Sequence, residues 1–275
     1  MARVIAFANQ KGGVGKTTSA VNVAAFLALA GSRTLLIDVD PQGNATTGLG
    51  VTKRPRTGTY QLMLADTAPN EALVSLGVEG FDLVPADLSL LRVGEILTRD
   101  RARRPRFGAA VGTLAERYDH VVLDCPPSLG ALTRQVLACA DEVIVPLQCE
   151  FYAMEGLSQV VEAIARASER RNPRLRLEGI ALTMYDASVQ LSRDVEEDVR
   201  AHFGDRVYRA VIPRDVRLAE AASHGQSILR YDERARGARG YAELTREVIH
   251  HDRSQIGARS GLPDRGERPQ RRSRR

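Results

Sequence analysis

Residues 11–18 read Lys-Gly-Gly-Val-Gly-Lys-Thr-Thr, and they follow a short apolar run at residues 4–8. The pattern of residues 16–30, which is amphipathic and stops at Gly31, predicts a helix immediately after the glycines. A strand, a glycine-rich loop and a helix in this order predict a phosphate-binding loop, because loop N–H groups and a helix N-terminus attract anions. The spacing departs from the G-x-x-x-x-G-K-[ST] pattern, since Gln10 takes the place of the first glycine.

The lysines of this chain are few, and most of them lie in the loop. Of the 39 basic residues only Lys11, Lys16 and Lys53 are lysines. A compact ammonium enters a phosphate cradle more readily than a planar guanidinium does. Lys16 is therefore predicted to reach the β- and γ-phosphates, and the Thr17 hydroxyl to hold Mg²⁺. The rest of the predicted cradle consists of Gly12, Gly13, Val14, Gly15 and Thr18.

The length and composition fit one α/β domain. The chain has 275 residues, of which 43% are hydrophobic and 27% charged. No apolar run is long enough to span a bilayer, and the chain enters a strand at once, which argues against a signal peptide. The three cysteines have no disulfide-like spacing, so we expect a reducing cytoplasm.

Apolar runs alternate with helical patterns along the chain. This alternation predicts a doubly wound, mostly parallel sheet with helices on both faces. Ligands bind such sheets at the carboxyl ends of the strands. The glycine loop, residues 38–44 and residues 124–128 all follow strands, so they are predicted to meet at one edge. The predicted strands are 3–8, 34–39, 81–85, 120–124, 142–147, 178–184 and 208–212, and the predicted helices are 16–30, 108–117, 130–139, 154–170, 191–202 and 238–250.

Three motifs in this order resemble the ParA/MinD superfamily of ATPases, which have a deviant Walker A loop. They are the glycine loop at 11–18, DVDPQGNAT at residues 38–46 and VVLDCPPS at residues 121–128. The chain is most similar to the short ParA/Soj partitioning proteins, and the resemblance extends from residue 3 to about residue 250. It implies a single-domain P-loop NTPase fold and hydrolysis of ATP, with ATP and Mg²⁺ as cofactors.

The resemblance implies roles for the acidic residues and for Lys11. Asp124 would bind Mg²⁺ through a water, and Asp40 would position or activate the attacking water and belong to the metal site. Asp38 is an alternative support for Mg²⁺ or its water shell, and the sequence leaves this open. Lys11 would reach the nucleotide of a second subunit in an ATP-sandwich homodimer. The predicted catalytic residues are therefore Lys11, Lys16 and Asp40.

The resemblance also implies an adenine pocket and a DNA surface. Met184 and Pro213 match the adenine pocket, although both residues equally suit ordinary core packing. Arg214 and Arg217 match the region with which relatives bind DNA without sequence preference. Ser188 stands where an arginine is expected, and the loss of one phosphate contact should weaken binding and flatten its salt dependence.

Positive charge is concentrated at the C-terminus. Residues 252–275 contain eight arginines and three acids, a net charge of +5, whereas residues 1–251 are neutral overall. Apolar residues are scarce in this tail, so the sequence predicts a folded ATPase domain over 1–251 and a disordered arginine-rich tail over 252–275. We expect the tail to act as an arm that binds polyanions such as DNA.

These features together predict a Mg²⁺-ATP-dependent DNA-partitioning ATPase. By resemblance it would be a cytoplasmic, nucleoid-associated homodimer whose slow hydrolysis is stimulated by a ParB-type centromere-binding protein. The sequence does not distinguish a chromosome from a plasmid as cargo. The alternative is a MinD-like or other positioning ATPase that acts through a protein or membrane partner without DNA. The tail has no apolar face, so we expect no membrane insertion.

Overall fold

The computed structural model describes residues 2–51, 57–64, 67–100 and 106–260. Within these ranges eight strands form one sheet. The strands are β1 (Arg3–Phe7), β2 (Thr34–Asp38), β3 (Val74–Val78), β4 (Phe81–Val84), β5 (His120–Asp124), β6 (Glu142–Gln148), β7 (Arg176–Tyr185) and β8 (Val207–Pro213).

The strand order in the sheet is β3-β4-β2-β5-β1-β6-β7-β8. Neighbouring strands are parallel throughout, except that β3 and β4 are antiparallel. Strands β2 to β5 lie on one side of β1 and strands β6 to β8 on the other, so the direction of winding reverses at β1, as expected of a doubly wound sheet. The predicted fold class is confirmed.

Helices cover both faces of this sheet. One face packs against α1, α2 and α9 to α11, and the other packs against α3 to α8. The helices are α1 (Lys16–Leu29), α2 (Asn44–Gly48), α3 (Thr59–Leu64), α4 (Val93–Arg99), α5 (Arg106–Ala115), α6 (Ala131–Leu137), α7 (Ala153–Arg170), α8 (Gln190–Phe203), α9 (Val216–Ser223), α10 (Ile228–Tyr231) and α11 (Arg236–Ser260).

The central strand shows why the strands read as uninterrupted apolar runs. Successive side chains of a strand point to opposite faces. Val4 and Ala6 pack in the core on the α5 and α7 side, whereas Ile5 and Phe7 pack on the α1 and α11 side. Both faces are therefore buried, and neither admits the polar alternation of a half-exposed strand.

Strand register brings the sequence motifs to one level. Asp124 at the end of β5 is in register with Phe7 of β1 on one side and with Asp38 of β2 on the other. The glycine loop, residues 38–46 and residues 124–128 therefore leave the same edge of the sheet. This edge is called the carboxyl edge below, and the opposite one the amino edge.

The sequence does not predict β3 or several short helices. β3 is an edge strand whose residues are all half-buried or exposed, so it lacks the apolar run that marks a buried strand. The helices α2, α3, α4, α9 and α10 have four to eight residues each, which is too short for a clear helical periodicity.

The C-terminal helix is longer than predicted. α11 continues to Ser260, past residue 251, where the folded domain is predicted to end. No proline interrupts residues 252–260, and the first one that follows is Pro263. The remaining part of the predicted tail, residues 261–275, lies outside the described residues. Among the helices of the described ranges, none has the length and apolar character needed to cross a membrane.

Candidate nucleotide-binding site

The glycine loop between β1 and α1 is shaped to receive an anion. Gly13 and Gly15 have φ angles of 78° and 82°, in the left-handed region that glycine adopts without strain. Gly15 lies at the N-cap of α1 and has no side chain with which to cap the first N–H groups of the helix. These amides are therefore available to bind a phosphate at the positive end of the helix dipole.

Lys16 folds back over the loop. The residue is only 6% exposed, and its Nζ donates a hydrogen bond to the carbonyl oxygen of Lys11 at 2.7 Å. Burial lowers the pKa of this ammonium, while the nearby Asp124 carboxylate acts in the opposite direction. A buried cation whose acceptor is a neutral carbonyl gains a stronger hydrogen bond when an anion takes its place.

Three carboxylates lie at the carboxyl edge, and two of them, Asp40 and Asp124, are close enough to Lys16 to raise its pKa against the larger effect of burial. Asp38 and Asp124 are fully buried, and Asp40 is almost so. Burial raises the pKa of Asp38 to about 6, and it raises the pKa of Asp124 well above the ordinary value, with Asp38 raising it further. When all three are ionised they outnumber the single ammonium by two charges, which a divalent cation would neutralise.

Asp124 is suited to hold such a cation. Within the described part of the chain, neither of its carboxylate oxygens has a hydrogen bond of normal geometry. The Thr17 hydroxyl is close enough to lower the pKa of Asp124. Buried polar atoms normally have partners, so an open carboxylate beside a hydroxyl is the oxygen-rich environment that Mg²⁺ prefers. No cluster of three or more His, Cys, Asp or Glu side chains suited to a metal occurs among the described residues, and Mg²⁺ bound to a nucleotide needs only one or two protein ligands.

Asp38 is occupied by the protein itself. One of its oxygens accepts a hydrogen bond from the backbone N–H of Asp40 at 3.1 Å. The other accepts from the backbone N–H and the hydroxyl of Thr46, at 2.9 and 2.7 Å. Asp40 in turn accepts from the N–H of Gln42 at 2.9 Å. The two aspartates that the sequence could not separate therefore have different surroundings.

Lys11 points away from its own loop. Its Nζ lies 3.4 Å from a carboxylate oxygen of Glu150, and both side chains are more than two-fifths exposed. Its backbone, by contrast, joins the cradle, because the N–H donates to Asn9 Oδ1 at 3.1 Å and the carbonyl accepts from Lys16. The two lysines of the loop thus have different surroundings, with the Lys16 ammonium inside the cradle and the Lys11 ammonium at its outer surface.

The predicted base-binding residues lie together beside the loop. Met184 and Pro213 line a cavity of about 180 Å³, whose walls also include Gly15 and Thr18 at the start of α1. The Thr183 hydroxyl donates to the carbonyl of Val14 at 2.9 Å and joins the wall to the loop. Met184 has a φ of 50°, a conformation that side-chain-bearing residues adopt rarely and that is enriched at functional sites.

The two predicted DNA-binding arginines lie in ion pairs. Arg214 lines the same cavity and lies 4.0 Å from Glu150. Arg217 lies 2.9 Å from Glu220 and 3.7 Å from Asp232. Both side chains are at least half exposed, so these pairs are weak and open to exchange.

Large apolar side chains are exposed along the carboxyl edge. Phe151 and Tyr152, immediately after Glu150, are each 67% exposed, with ring centroids 4.3 Å apart. Elsewhere in the described ranges, Leu29 and Val78 are the exposed large apolar residues away from this edge. Each of the other exposed large apolar residues follows a strand that ends at this edge. This apolar rim consists of Leu88, Leu91, Phe151, Tyr152, Val189, Leu191 and Val216.

A larger cavity, of about 820 Å³, opens at the amino edge. Much of its charged lining is paired internally, since Arg33 lies 2.8 Å from Asp119 and the half-buried Arg3 pairs with Glu142. Volume alone would point here, but the open carboxylate and the uncapped helix are both at the other edge.

Sequence reasoning missed two features of the site. It did not find Glu150, the neighbour of Lys11, although Glu150 follows β6 at the carboxyl edge. It also assigned Arg214 to a DNA surface alone, whereas the structure places Arg214 in the wall of the cavity beside Pro213.

Comparisons with known proteins agree with this geometry. A family model described as an AAA domain matches residues 2–177. The chromosome partitioning protein ParA of Caulobacter vibrioides is 48% identical, with 91% of this chain and 95% of that protein covered. The sporulation initiation inhibitor protein Soj of Bacillus subtilis is 45% identical, with 90% and 98% covered.

A solved structure shares the fold over almost the whole chain. It is a cobyrinic acid a,c-diamide synthase from Mycobacterium smegmatis with a bound ATP analogue and magnesium. It superposes with a TM-score of 0.81 at 36% identity, covering 93% of this chain and 97% of that one. The relatives named for partitioning share more of the sequence. The chain therefore belongs to the ParA/Soj family of partitioning ATPases.

Proposed function

We propose that this protein is a Mg²⁺-ATP-dependent DNA-partitioning ATPase that works as an ATP-dependent homodimer. In this cycle ATP binding drives dimerisation, the dimer binds DNA without sequence preference, and slow hydrolysis resets it. A ParB-type centromere-binding protein would stimulate the hydrolysis. The protein would act in the cytoplasm on the nucleoid, with a chromosome or a plasmid as cargo. Support comes from the partitioning relatives and from the geometry of the carboxyl edge.

Each residue of the site has a part in this proposal. The loop amides and Lys16 would hold the phosphates, and Met184 and Pro213 would contact the adenine. Thr17 and Asp124 would hold Mg²⁺, which neutralises charge on the phosphates during transfer. Asp40, at the start of the loop after β2, would orient the attacking water and accept its proton.

The main support for a dimer is the position of Lys11. Its ammonium lies outside the cradle formed by its own loop, in a weak and exposed pair with Glu150. The apolar rim on the same edge supplies a surface that a second copy would cover. A cation delivered to the nucleotide of a partner would act as an arginine finger does, by stabilising charge on the phosphoryl group in transit.

The test is the Lys11→Ala variant, compared with the wild type by sedimentation with ATP, with ADP and without nucleotide. We expect ATP to bind, because Lys16 is intact, but we expect the dimer to be lost and turnover to fall by about ten-fold or more. Arg33→Ala, which removes an exposed cation at the amino edge, should behave as the wild type. Unchanged dimerisation and turnover in Lys11→Ala would refute the proposed cycle.

DNA binding is tested separately. We expect Arg214→Ala and Arg217→Ala each to weaken binding to non-specific DNA and to reduce the salt slope by about one. Removing residues 261–275 should lower both affinity and slope further if the arginine-rich tail is a polyanion-binding arm. These variants should retain the ATP-dependent dimer. Because Arg214 lines the cavity, the affinity for ATP is measured in parallel for Arg214→Ala.

A second candidate function is a positioning ATPase that acts through a protein or membrane partner without DNA. Ser188 favours it, because it stands where an arginine is expected and lies in a tight turn in which its hydroxyl donates to Asp186 at 2.6 Å. Under this alternative the ATP-bound dimer would show no affinity for DNA at physiological salt. Co-sedimentation with anionic liposomes would then distinguish a membrane partner from a protein partner.

A further inference from the structure

The carboxylate of Asp38 joins the two ends of the loop that follows β2. Asp38 is fully buried at the last position of the strand. It accepts from the N–H of Asp40 at one end of residues 40–46 and from the N–H and hydroxyl of Thr46 at the other. One side chain thus fixes both ends of the segment that carries Asp40.

The same network extends to two neighbouring elements. The Thr46 hydroxyl oxygen accepts from the backbone N–H of Ala86, just after β4, at 2.9 Å. The carbonyl of Asp38 accepts from the hydroxyl of Thr59, the first residue of α3, at 2.6 Å. Within the loop, the N–H of Gly43 donates to the carbonyl of Asp40 at 2.8 Å. The loop is therefore held to the sheet mainly from its two ends.

The surroundings of Asp38 do not favour a role as a metal ligand. A carboxylate offers about four acceptor positions, and protein donors fill three of those on Asp38. Asp124, on the adjacent strand, has neither oxygen in a hydrogen bond of normal geometry with the described residues. A cation at this edge would meet the open carboxylate of Asp124 without breaking any existing bond.

We propose that Asp38 is the positioning residue of the hydrolytic loop, whose clamp on Asp40 and Thr46 sets where the Asp40 carboxylate stands. The proposal rests on the proposed role of Asp40 in hydrolysis. Small displacements of a catalytic group cost as much as a hundred-fold in rate, so a clamp at the adjacent backbone acts directly on turnover. Asp38 itself touches neither the substrate nor the metal.

The central test is Asp38→Asn, which keeps the shape of the side chain but replaces one acceptor oxygen with an amide that cannot accept. We expect kcat to fall by about ten- to a hundred-fold, with the affinity for ATP and the Mg²⁺ concentration for half-maximal nucleotide binding both within two-fold of the wild type. In the nucleotide-free protein, amide hydrogen exchange at Asp40 and Thr46 should accelerate. The amide of Cys125, which donates to the carbonyl of Phe7 at 3.2 Å, is the internal control and should not change.

A matched pair at Thr46 tests the other end of the clamp. Thr46→Val removes the hydroxyl and should lower kcat in the same way, whereas Thr46→Ser keeps it and should retain most of the wild-type rate. The double variant Asp38→Asn/Thr46→Val should lose less than the product of the two single losses, because both changes break one shared contact. If Asp38→Asn fails to fold, the Thr46 pair decides the question by the same readouts.

Two results would overturn the proposal. One is a several-fold rise in the Mg²⁺ requirement of Asp38→Asn with unchanged exchange at Asp40 and Thr46, which would place Asp38 in the metal shell. The other is a wild-type rate in Asp38→Asn or in Thr46→Val. The Asp40→Ala variant separates this question from the function itself, because normal turnover in Asp40→Ala would refute the role of Asp40 whatever Asp38 does.

Discussion

The two edges of the sheet contain buried charges of the same kinds, but they arrange them differently. At the amino edge, the guanidinium of Arg3 pairs with Glu142 and Glu178 and donates to the carbonyl of Val248 at 2.7 Å. At the carboxyl edge, the Lys16 ammonium donates to a neutral carbonyl, and Asp124 has no hydrogen bond of normal geometry among the described residues.

This difference distinguishes a network of charges that are paired within the fold from a candidate binding site. Buried charges that are paired within the fold are costly to break, whereas a buried charge without a partner destabilises the fold until a ligand arrives. The amino edge has the larger cavity, but its buried charges are already paired with one another. The carboxyl edge has the smaller cavity but retains the capacity to bind a cation and an anion together.

The largest expected effect comes from opening the network at the amino edge. Arg3→Met removes one of the two arginines that the buried Glu142 and Glu178 share and leaves only the more exposed Arg176, so we expect the free energy of unfolding to fall by up to about 3–5 kcal/mol. Urea unfolding measures it. The control is Arg33→Met, which breaks an exposed pair at the same edge and should cost at most about 1 kcal/mol. A loss below about 1 kcal/mol in Arg3→Met would mean that this network does not stabilise the fold.

The opposite result is expected from Asp124→Asn at the carboxyl edge. ATP turnover should fall by about a hundred- to a thousand-fold, because the site loses a preorganised charge. The free energy of unfolding of the nucleotide-free protein should rise, because a neutral amide replaces a buried carboxylate whose pKa is raised by burial. Turnover and urea unfolding are measured on the same preparation. If Asp124→Asn is both inactive and less stable than the wild type, then the Asp124 carboxylate stabilises the fold as the charges of the amino edge do, and the proposed difference between the edges is wrong.

The carboxylates at the two edges should also make the stability of the fold depend on pH in opposite directions. Burial raises the pKa of Asp38 from 3.8 to about 6, so the folded form holds more protons there than the unfolded form, and stability declines as the pH rises from about 4 to about 6. Hydrogen bonds from Arg33 lower the pKa of Asp119 to about 2, so its contribution is present above pH 4 and is lost as the pH falls through 2.

The measurement is urea unfolding without nucleotide or Mg²⁺ between pH 3 and pH 7. The decline between pH 4 and pH 6 should be shallower in Asp38→Asn than in the wild type. Asp119→Asn should differ from the wild type only by a loss of stability that shrinks on acidification below pH 4. A difference in the free energy of unfolding between Asp38→Asn and the wild type that does not change with pH would contradict the raised pKa of Asp38.

The smallest effect is expected from Glu150→Gln, which frees Lys11 from its surface pair. Such a pair contributes at most about 1 kcal/mol, and a dimer would break two of them, so ATP-dependent dimerisation should strengthen by up to about thirty-fold. Sedimentation over a range of protein concentrations measures it, with Glu162→Gln, which breaks an exposed pair within α7, as the control. A weaker dimer would show that Glu150 itself contacts the second copy.

Much of the fold could be predicted from the sequence because its signals are local. Each of the seven predicted strands is present, and the helix predicted at 154–170 begins one residue earlier and ends at the predicted residue. β3 was not predicted because its residues are half-buried or exposed and form no apolar run. α11 extends past residue 251 because a compositional boundary does not stop a helix in the absence of proline.

The sequence by itself determined the glycine loop, the sheet and the gathering of the motifs at one edge. These features depend on glycines and apolar runs within short stretches of chain. The edge at which the motifs meet follows from the rule that ligands bind at the carboxyl ends of parallel strands. Only the tertiary structure decided what each charge faces. Lys11 meets Glu150, 139 residues away, and Asp38 meets Thr46 while Asp124 is left open. Such contacts depend on how strands from distant parts of the chain are brought into register, and no local pattern encodes that.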